Sequence, residues 1–296
     1  MRRTISPADL ILNRDGSIYH LCLLPEDIAD TILLVGDPGR VSQVSAHFDS
    51  VTVKKENREF VTCTGLYRGN PCSVVSTGIG TDNIDIVVNE LDALVNVDME
   101  KRMVRPEFRK LELIRLGTSG ALNGDIPVGS YILSEIAGGL DNLYHFYSDP
   151  AKTELPGLSN AFVEHFSWKK KLSPPYFIRC SGNLRSRLSN EKIVSGITLS
   201  SPGFYGPQVR SLRLSSSLEG MMEVLDTFQF EGKRINNFEM ECSALYALSS
   251  MLGHEAVTLC LAVANRKNKQ FLQSYKPEMD RLIQYTLNKL FCDDRA

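Results

Sequence analysis

The chain has 296 residues and a formal net charge of -2, and 43% of its residues are hydrophobic while 23% are charged. This composition is near the average for globular proteins and excludes a disordered or fibrous chain. The length corresponds to one large domain or two small ones. The slightly negative net charge also argues against nucleic-acid binding, because the two basic clusters at 101–110 and 169–171 lie in a chain that is not basic as a whole.

Neither a membrane segment nor a disulfide framework is expected. No apolar run approaches the roughly 18 residues that a membrane helix needs, and Asp9 stands where a signal peptide needs an apolar core. The seven cysteines are odd in number and never form C-x-x-C, which predicts reduced core cysteines rather than a disulfide or zinc site. We therefore expect a cytoplasmic protein without a targeting signal or a bound metal.

Short apolar runs alternate with amphipathic stretches along the chain, and this alternation is typical of an α/β fold. In chain order the pattern predicts strand 31–36, helix 40–47, strands 51–55, 60–64 and 72–79, helix 83–97, strands 111–117 and 130–136, helix 158–166, strand 193–200, helices 218–225 and 239–252, strand 256–264 and helix 277–291. Several of these strands are apolar on both faces, as a sheet covered by helices on each side requires. The weakly patterned stretch 138–175 is predicted to be an insertion or loop region around one helix.

Three glycine-containing segments follow predicted strands and offer hydrogen-bond donors to an oxyanion. The first, Gly36-Asp-Pro-Gly, enters a helix beside the cation Arg40, but it matches neither the phosphate-loop nor the dinucleotide fingerprint. The others are 76–80 and 117–120. Arg115 precedes the latter in a strand that should be buried, so it must either pair with a carboxylate or meet an anionic ligand. Strand ends of this kind converge along one edge of a sheet, where α/β folds bind ligands.

Two further segments carry polar groups that suit a nucleoside. Residues 238–242 are predicted to open a helix. On a regular helix Glu239 and Glu241 could not face the same point, so one should face the site while the other is structural or exposed. A helix N-terminal acid is an equally good interpretation of this segment alone. Phe204, Gln208 and Arg210 supply the aromatic ring, amide and guanidinium that recognise a planar, oxygen-bearing heterocycle, although this segment alone would suit a surface loop.

Taken together, these segments occur in the order seen in the nucleoside phosphorylase/hydrolase superfamily, and the chain resembles its uridine phosphorylases most closely. Asn57-Arg-Glu-Phe and Asn265-Arg266 complete the series, which spans roughly residues 20–266. The resemblance implies one domain over 1–296 with a three-layer α/β/α fold, a mixed central sheet and an N-terminal arm of about 30 residues. The stretch 138–175 is its least familiar part.

The resemblance also assigns a role to each site residue. Phosphate would be held by Gly36, Arg40, Arg58, Arg115 and Thr118, with Arg58 reaching a neighbouring subunit's site. Ribose would be held by His20, Met240 and Glu241, with His20 also serving the neighbour. The base would be bound by Phe204, Gln208 and Arg210. The catalytic residues would be Arg210, Gln208, Glu241 and Arg115.

The activity that the resemblance implies is that of a pentosyltransferase: reversible phosphorolysis of uridine to uracil and ribose 1-phosphate in pyrimidine salvage or catabolism. A site shared between subunits implies a homodimer as the minimal unit, often assembled into a hexamer. Family members bind potassium at this interface with a serine and a glutamate that matches Glu59. Here Asn83 takes the place of the serine, so the ion is left open and no other cofactor is expected.

Three alternatives remain at this point. A purine-type phosphorylase is disfavoured because Ala264 stands where purine enzymes use a catalytic aspartate. A hydrolytic nucleosidase would not need the three arginines Arg40, Arg58 and Arg115 for phosphate. A nonenzymatic nucleoside-binding protein is disfavoured because Arg115, Gln208 and Glu241 are all present.

Overall fold

The computed structural model describes residues 4–291 as an α/β fold. Its strands are β1 (Thr31–Val35), β2 (Ser50–Asn57), β3 (Phe60–Tyr67), β4 (Asn70–Ser76), β5 (Val97–Asp98), β6 (Met103–Val104), β7 (Glu112–Ala121), β8 (Tyr131–Gly139), β9 (Tyr176–Arg179), β10 (Val194–Ser200), β11 (Gln229–Phe230), β12 (Lys233–Glu239), β13 (Glu255–Asn265) and β14 (Gln270–Phe271). Its α-helices are α1 (Pro38–Ser45), α2 (Thr81–Asn96), α3 (Pro156–His165), α4 (Gly182–Leu188), α5 (Met221–Val224), α6 (Cys242–Leu252) and α7 (Lys276–Phe291).

Twelve strands form one mixed sheet in the order β11-β12-β10-β8-β13-β7-β1-β4-β3-β2, with β9 paired to β8 and β14 paired to β13. The pairs of β1 with β4 and β7, of β7 with β13, and of β10 with β8 and β12 are parallel. Antiparallel pairing of β8 with β13 joins the two parallel regions. Strand β12 also pairs with β7 through Asn237 and Phe238, which closes β7, β13, β8, β10 and β12 into a ring.

Five of the helices form two groups that pack on the sheet. Helix α7 contacts α1 and α4, whereas α2 packs on α6, and members of both groups contact β13. The apolar stripe of α2 is buried as its helical spacing predicts: Ile84, Val87, Val88, Leu91, Leu94 and Val95. The predicted three-layer α/β/α fold with a mixed sheet is thereby confirmed.

The stretch 138–175 packs more fully than its weak pattern predicts. Helix α3 contacts β9 and buries Leu158 and Phe162 completely. The centroid of the Phe162 ring lies within 6 Å of those of Phe166, Trp168, Phe177 and Phe228 in tilted or edge-to-face arrangements, and these contacts form part of a second core cluster. This segment therefore contributes to the hydrophobic core beside β8, β9 and β10.

Several predicted boundaries differ from the structure. Helix 239–252 begins only at Cys242, because β12 continues to Glu239. The pattern missed β12 because Asn236 and Asn237 are poor strand formers. They are buried there through side-chain hydrogen bonds from Asn123 and Thr198. Predicted helix 218–225 shortens to the single turn α5, which starts after the left-handed Gly220.

Two sequence expectations about the chain as a whole can be compared with residues 4–291. Of the seven cysteines, six lie in this range, all are free thiols and five are buried, while Cys292 lies outside the described residues. Across the same range, none of the helices combines the length and the apolar character needed to cross a membrane.

Candidate active site

A cavity of about 1060 Å³ opens where the carboxyl ends of β1, β4, β10, β12 and β13 meet. The three glycine-containing segments all reach its wall, so the predicted convergence of strand ends is confirmed. Segment 117–120 does so from within β7 rather than from a turn, because β7 continues to Ala121. Nine of the eleven expected site residues line the cavity: Gly36, Arg40, Arg115, Thr118, Phe204, Gln208, Arg210, Met240 and Glu241.

One end of the cavity concentrates positive charge. Asp37 caps α1 by accepting the N–H of Gly39 at 2.8 Å, and this starts the helix that carries Arg40. Arg40 is buried and donates to the carbonyl of Leu116 at 3.2 Å. Burial and the nearby Arg115 guanidinium lower the pKa of Arg40. Two guanidinium groups that repel each other in a low-dielectric site favour an anion bound beside them.

Arg115 forms ion pairs with two carboxylates at once. Its Nη1 lies 3.3 Å from Glu239 Oε2, and its Nη2 pairs more closely with Glu241. Burial alone would lower the pKa of Arg115, but the two carboxylates outweigh burial and raise it. Arg115 therefore pairs with carboxylates, one of the two alternatives that its sequence context left open, and it also lines the cavity.

The expectation that only one of Glu239 and Glu241 faces the site is wrong. Glu239 ends a strand and Glu241 is the non-helical N-cap of α6, with φ -137°. Met240 and Glu241 form a bend between β12 and α6, so helical spacing does not separate the two side chains and both reach Arg115. Burial raises the pKa of Glu239 to about 7. The Glu241 carboxylate also raises the pKa of Glu239, whereas the Arg115 guanidinium lowers it.

Both carboxylates are fixed by hydrogen bonds from their surroundings. The Glu239 carboxylate accepts hydrogen bonds from the Ser200 hydroxyl and from the backbone N–H groups of Glu241 and Cys242, the latter two at 2.9 Å each. Glu241 Oε1 accepts the N–H of Gly80 at 2.8 Å, which ties the third glycine segment to the site. Gly80 has φ +98°, a conformation that other residues rarely adopt.

Another part of the cavity is built from the segment 204–210. The Arg210 guanidinium lies 3.9 Å from the centroid of the Phe204 ring and donates to the Phe204 carbonyl at 2.8 Å. It also donates to the amide oxygen of Gln208, a side chain that is almost completely buried. Burial and the neighbouring Arg266 lower the pKa of Arg210 to about 10. An aromatic face, an amide N–H group and a guanidinium thus meet within one part of the cavity.

His20 and Arg58 do not line the cavity of their own chain. His20 Nδ1 lies 2.6 Å from Glu90 Oε1, and the His20 carbonyl accepts the side-chain N–H of Asn57 at 2.8 Å. Arg58 is exposed and lies 6.0 Å from the ring centroid of Tyr19. The two residues are therefore near each other on the surface, apart from the other nine.

Other residues of the wall were not predicted to act there. Arg266 donates to the carbonyls of Gln208 and Val209, and the motif Asn265-Arg266 was the signal that could have assigned it. The remaining wall of the cavity includes Lys269, Gln270, Phe271 and Tyr275, for which the sequence offered no signal.

Glu59 and Asn83 also reach the cavity, where both side chains lie close to Gly78. Between residues 4 and 291, no three His, Cys, Asp or Glu side chains are grouped so that they could hold a metal ion.

Comparison with known proteins decides the family. A model described as the phosphorylase superfamily matches residues 30–287. The chain belongs to the phosphorylase superfamily. It is 30% identical over 262 residues to a uridine phosphorylase from Thermococcus kodakarensis, which covers 87% of this chain and 80% of the relative. It is also 28% identical over 241 residues to a DeoD-type purine nucleoside phosphorylase from Streptococcus suis, covering 81% and 83%.

Solved structures agree with this family. A Trypanosoma brucei nucleoside phosphorylase, whose crystal structure is described as showing uridine phosphorylase activity, superposes with a TM-score of 0.86 and 30% identity. The match covers 95% of this chain and 99% of that one. A uridine phosphorylase from Phytophthora capsici shares the fold, with a TM-score of 0.69 and 22% identity over 97% and 98% of the two chains.

Proposed function

We propose that this chain is a uridine phosphorylase, a pentosyltransferase that converts uridine and inorganic phosphate to uracil and ribose 1-phosphate. The observation that carries the proposal is the joint placement of two clusters in one cavity, Arg40 with Arg115 and Phe204 with Gln208 and Arg210. Uridine phosphorylases among both the sequence relatives and the solved structures support it.

Phosphate binds at the cationic end of the cavity in this proposal. Arg40, Arg115 and Thr118 line that end, and Gly36 lies where β1 enters α1, beside backbone N–H groups that suit an oxyanion. An anion there would offset the repulsion between the two guanidinium groups. Arg115 already has two carboxylate partners, so the anion would chiefly compensate the charge of the buried Arg40.

Ribose binds between the two ends, against Met240 and Glu241. The Glu241 carboxylate is held by Arg115 and by Gly80, so it is oriented before a sugar arrives. A carboxylate can accept hydrogen bonds from the two hydroxyls of a ribose. Its contact with Arg115 also couples the ribose site directly to the phosphate site.

Catalysis follows from stabilising the departing base as an anion. As the glycosidic bond stretches, negative charge develops on the uracil, and Arg210 with Gln208 donates hydrogen bonds to it. Glu239 and Glu241 do not act as the acid–base carboxylate pair of an ordinary glycosidase, because both are paired with Arg115. The enzyme therefore needs no general acid at the base.

We further propose that the working unit is a homodimer with shared sites, with a hexamer as a larger assembly. His20 and Arg58 lie together and outside their own chain's cavity, as residues that complete a neighbour's site would. A single domain over the whole chain, a cytoplasmic location and the absence of a required cofactor stay predictions.

A purine-type phosphorylase is the second candidate, because purine nucleoside phosphorylases are among the relatives. A nucleoside panel with excess phosphate separates the two. We expect cleavage of uridine and no detectable cleavage of inosine, because a site built to hydrogen-bond one base rejects a base that leaves its polar groups unpaired. Preference for inosine would contradict the assignment of Gln208 and Arg210 to a pyrimidine.

A further inference from the structure

Val209 has a backbone conformation that is rare for its residue type. Its φ of 57° and ψ of 38° place it in the left-handed region, at the end of the 3-10 turn Gly206–Gln208. Glycine and asparagine occupy this region readily, whereas a β-branched residue there is a genuine outlier. Outliers of this kind persist only where the surroundings hold them, and they cluster at functional sites.

Backbone hydrogen bonds hold the turn on one side. The N–H of Val209 donates to the carbonyl of Gly206 at 3.0 Å, and the N–H of Arg210 donates to that of Tyr205 at 2.9 Å. The second bond exists because the chain reverses at Val209. A right-handed or extended conformation at this residue would turn the Arg210 N–H away from its acceptor.

Side chains hold the same turn from two other directions. The Arg266 guanidinium donates to the carbonyl of Gln208 and to that of Val209, the latter at 3.2 Å. The Val209 side chain packs against the second core cluster, which includes Phe238, a residue of the cavity wall. Packing therefore offsets a conformation that the isolated residue disfavours.

The turn determines how the two base-directed side chains meet. Gln208 and Arg210 flank Val209, and the Arg210 guanidinium donates to the Gln208 amide oxygen. That bond leaves the Gln208 amide N–H group free to donate to a ligand. We propose that Val209 is a positioning residue for base recognition, whose left-handed turn holds the Gln208 amide and the Arg210 guanidinium in one orientation toward a planar base. This inference rests on the proposed function.

Substitution of Val209 by proline, alanine and glycine tests the proposal. Proline cannot adopt positive φ and should lower kcat/KM for uridine on the order of 10²-fold, the loss that a misplacement of about 1 Å causes. Val209→Ala should lower kcat/KM less than Val209→Pro, because alanine can adopt positive φ. Val209→Gly should lower it least, because glycine adopts the left-handed conformation most readily. The KM for phosphate should stay within about twofold in the alanine and glycine variants, because Arg40 and Arg115 lie outside the turn.

Ser167 provides the matched control, since it is an exposed residue with φ 46° that does not line the cavity. The same substitutions there should leave both KM values unchanged. If Val209→Gly lowered kcat/KM for uridine as much as Val209→Ala or more, Val209 would have a packing role only and the proposal would be overturned. A parallel rise of both KM values, or wild-type kcat/KM in the Val209→Pro variant, would also overturn it.

Equilibrium binding of uracil, measured by calorimetry on the same variants, separates this proposal from the proposed function. Wild-type protein that binds uracil but does not cleave uridine would contradict the proposed function alone, and the order of uracil affinities would then test the turn. Absence of uracil binding by the wild-type protein would overturn both.

Discussion

Replacing Arg210 with alanine should lower kcat for uridine by about 10²–10³-fold, the loss typical of removing one fixed donor to a developing negative charge. Arg210 lies against the Phe204 ring and bonds to Gln208, and burial with Arg266 lowers its pKa to about 10. The group therefore stays cationic at neutral pH, where it can stabilise a departing uracil anion. Steady-state kinetics with saturating phosphate measures the effect.

The fold should survive the Arg210 substitution, because no carboxylate of the described residues forms an ion pair with this side chain. Arg213 is a matched control: it is an exposed arginine three residues further along the chain and does not line the cavity. Alanine at 213 should leave kcat unchanged. Wild-type turnover by the Arg210 variant would contradict its assignment to the leaving group.

Replacing Arg115 with methionine should lower the free energy of unfolding by about 3–5 kcal/mol, the cost of breaking a buried ion pair from one side. The substitution leaves the Glu239 and Glu241 carboxylates buried without their guanidinium. It should also raise the KM for phosphate, because Arg115 shares the cationic end with Arg40. Urea unfolding and phosphate titration of the initial rate measure the two effects.

A double variant tests the cause of this loss. Adding Glu239→Gln to Arg115→Met removes one uncompensated charge, so it should recover part of the stability without restoring phosphate affinity. Arg187 serves as control, because its ion pair with Glu112 is partly exposed. Methionine at 187 should cost about 0–1 kcal/mol. An Arg115 variant as stable as the Arg187 variant would show that the two carboxylates do not depend on the guanidinium.

Much of the fold was predictable from the sequence, because helical and strand periodicities coincide with burial. The α2 stripe and the two-sided apolar strands β1 and β7 are examples. Strand β12 was not predictable, because its buried Asn236 and Asn237 depend on partners that are far away in the chain. Local pattern contains no information on such long-range hydrogen bonds.

The candidate site was likewise predictable from the sequence only in part. Glycines and arginines after strands indicated an anion site, because strand ends meet at one edge of a sheet. The pairing of both Glu239 and Glu241 with Arg115 could not be predicted from the sequence, because it depends on where β12 ends and α6 begins. The left-handed turn at Val209 was also hidden, since valine is not a residue that signals positive φ.

The most direct test of the account is product analysis for uridine incubated with the purified protein, with inorganic phosphate present or omitted. A phosphorylase site with Arg40 and Arg115 at one end predicts equal amounts of uracil and ribose 1-phosphate, formed only when phosphate is present. Uracil with free ribose in the absence of phosphate would indicate a hydrolase and contradict the phosphate site. No uracil under either condition would contradict the proposed function altogether.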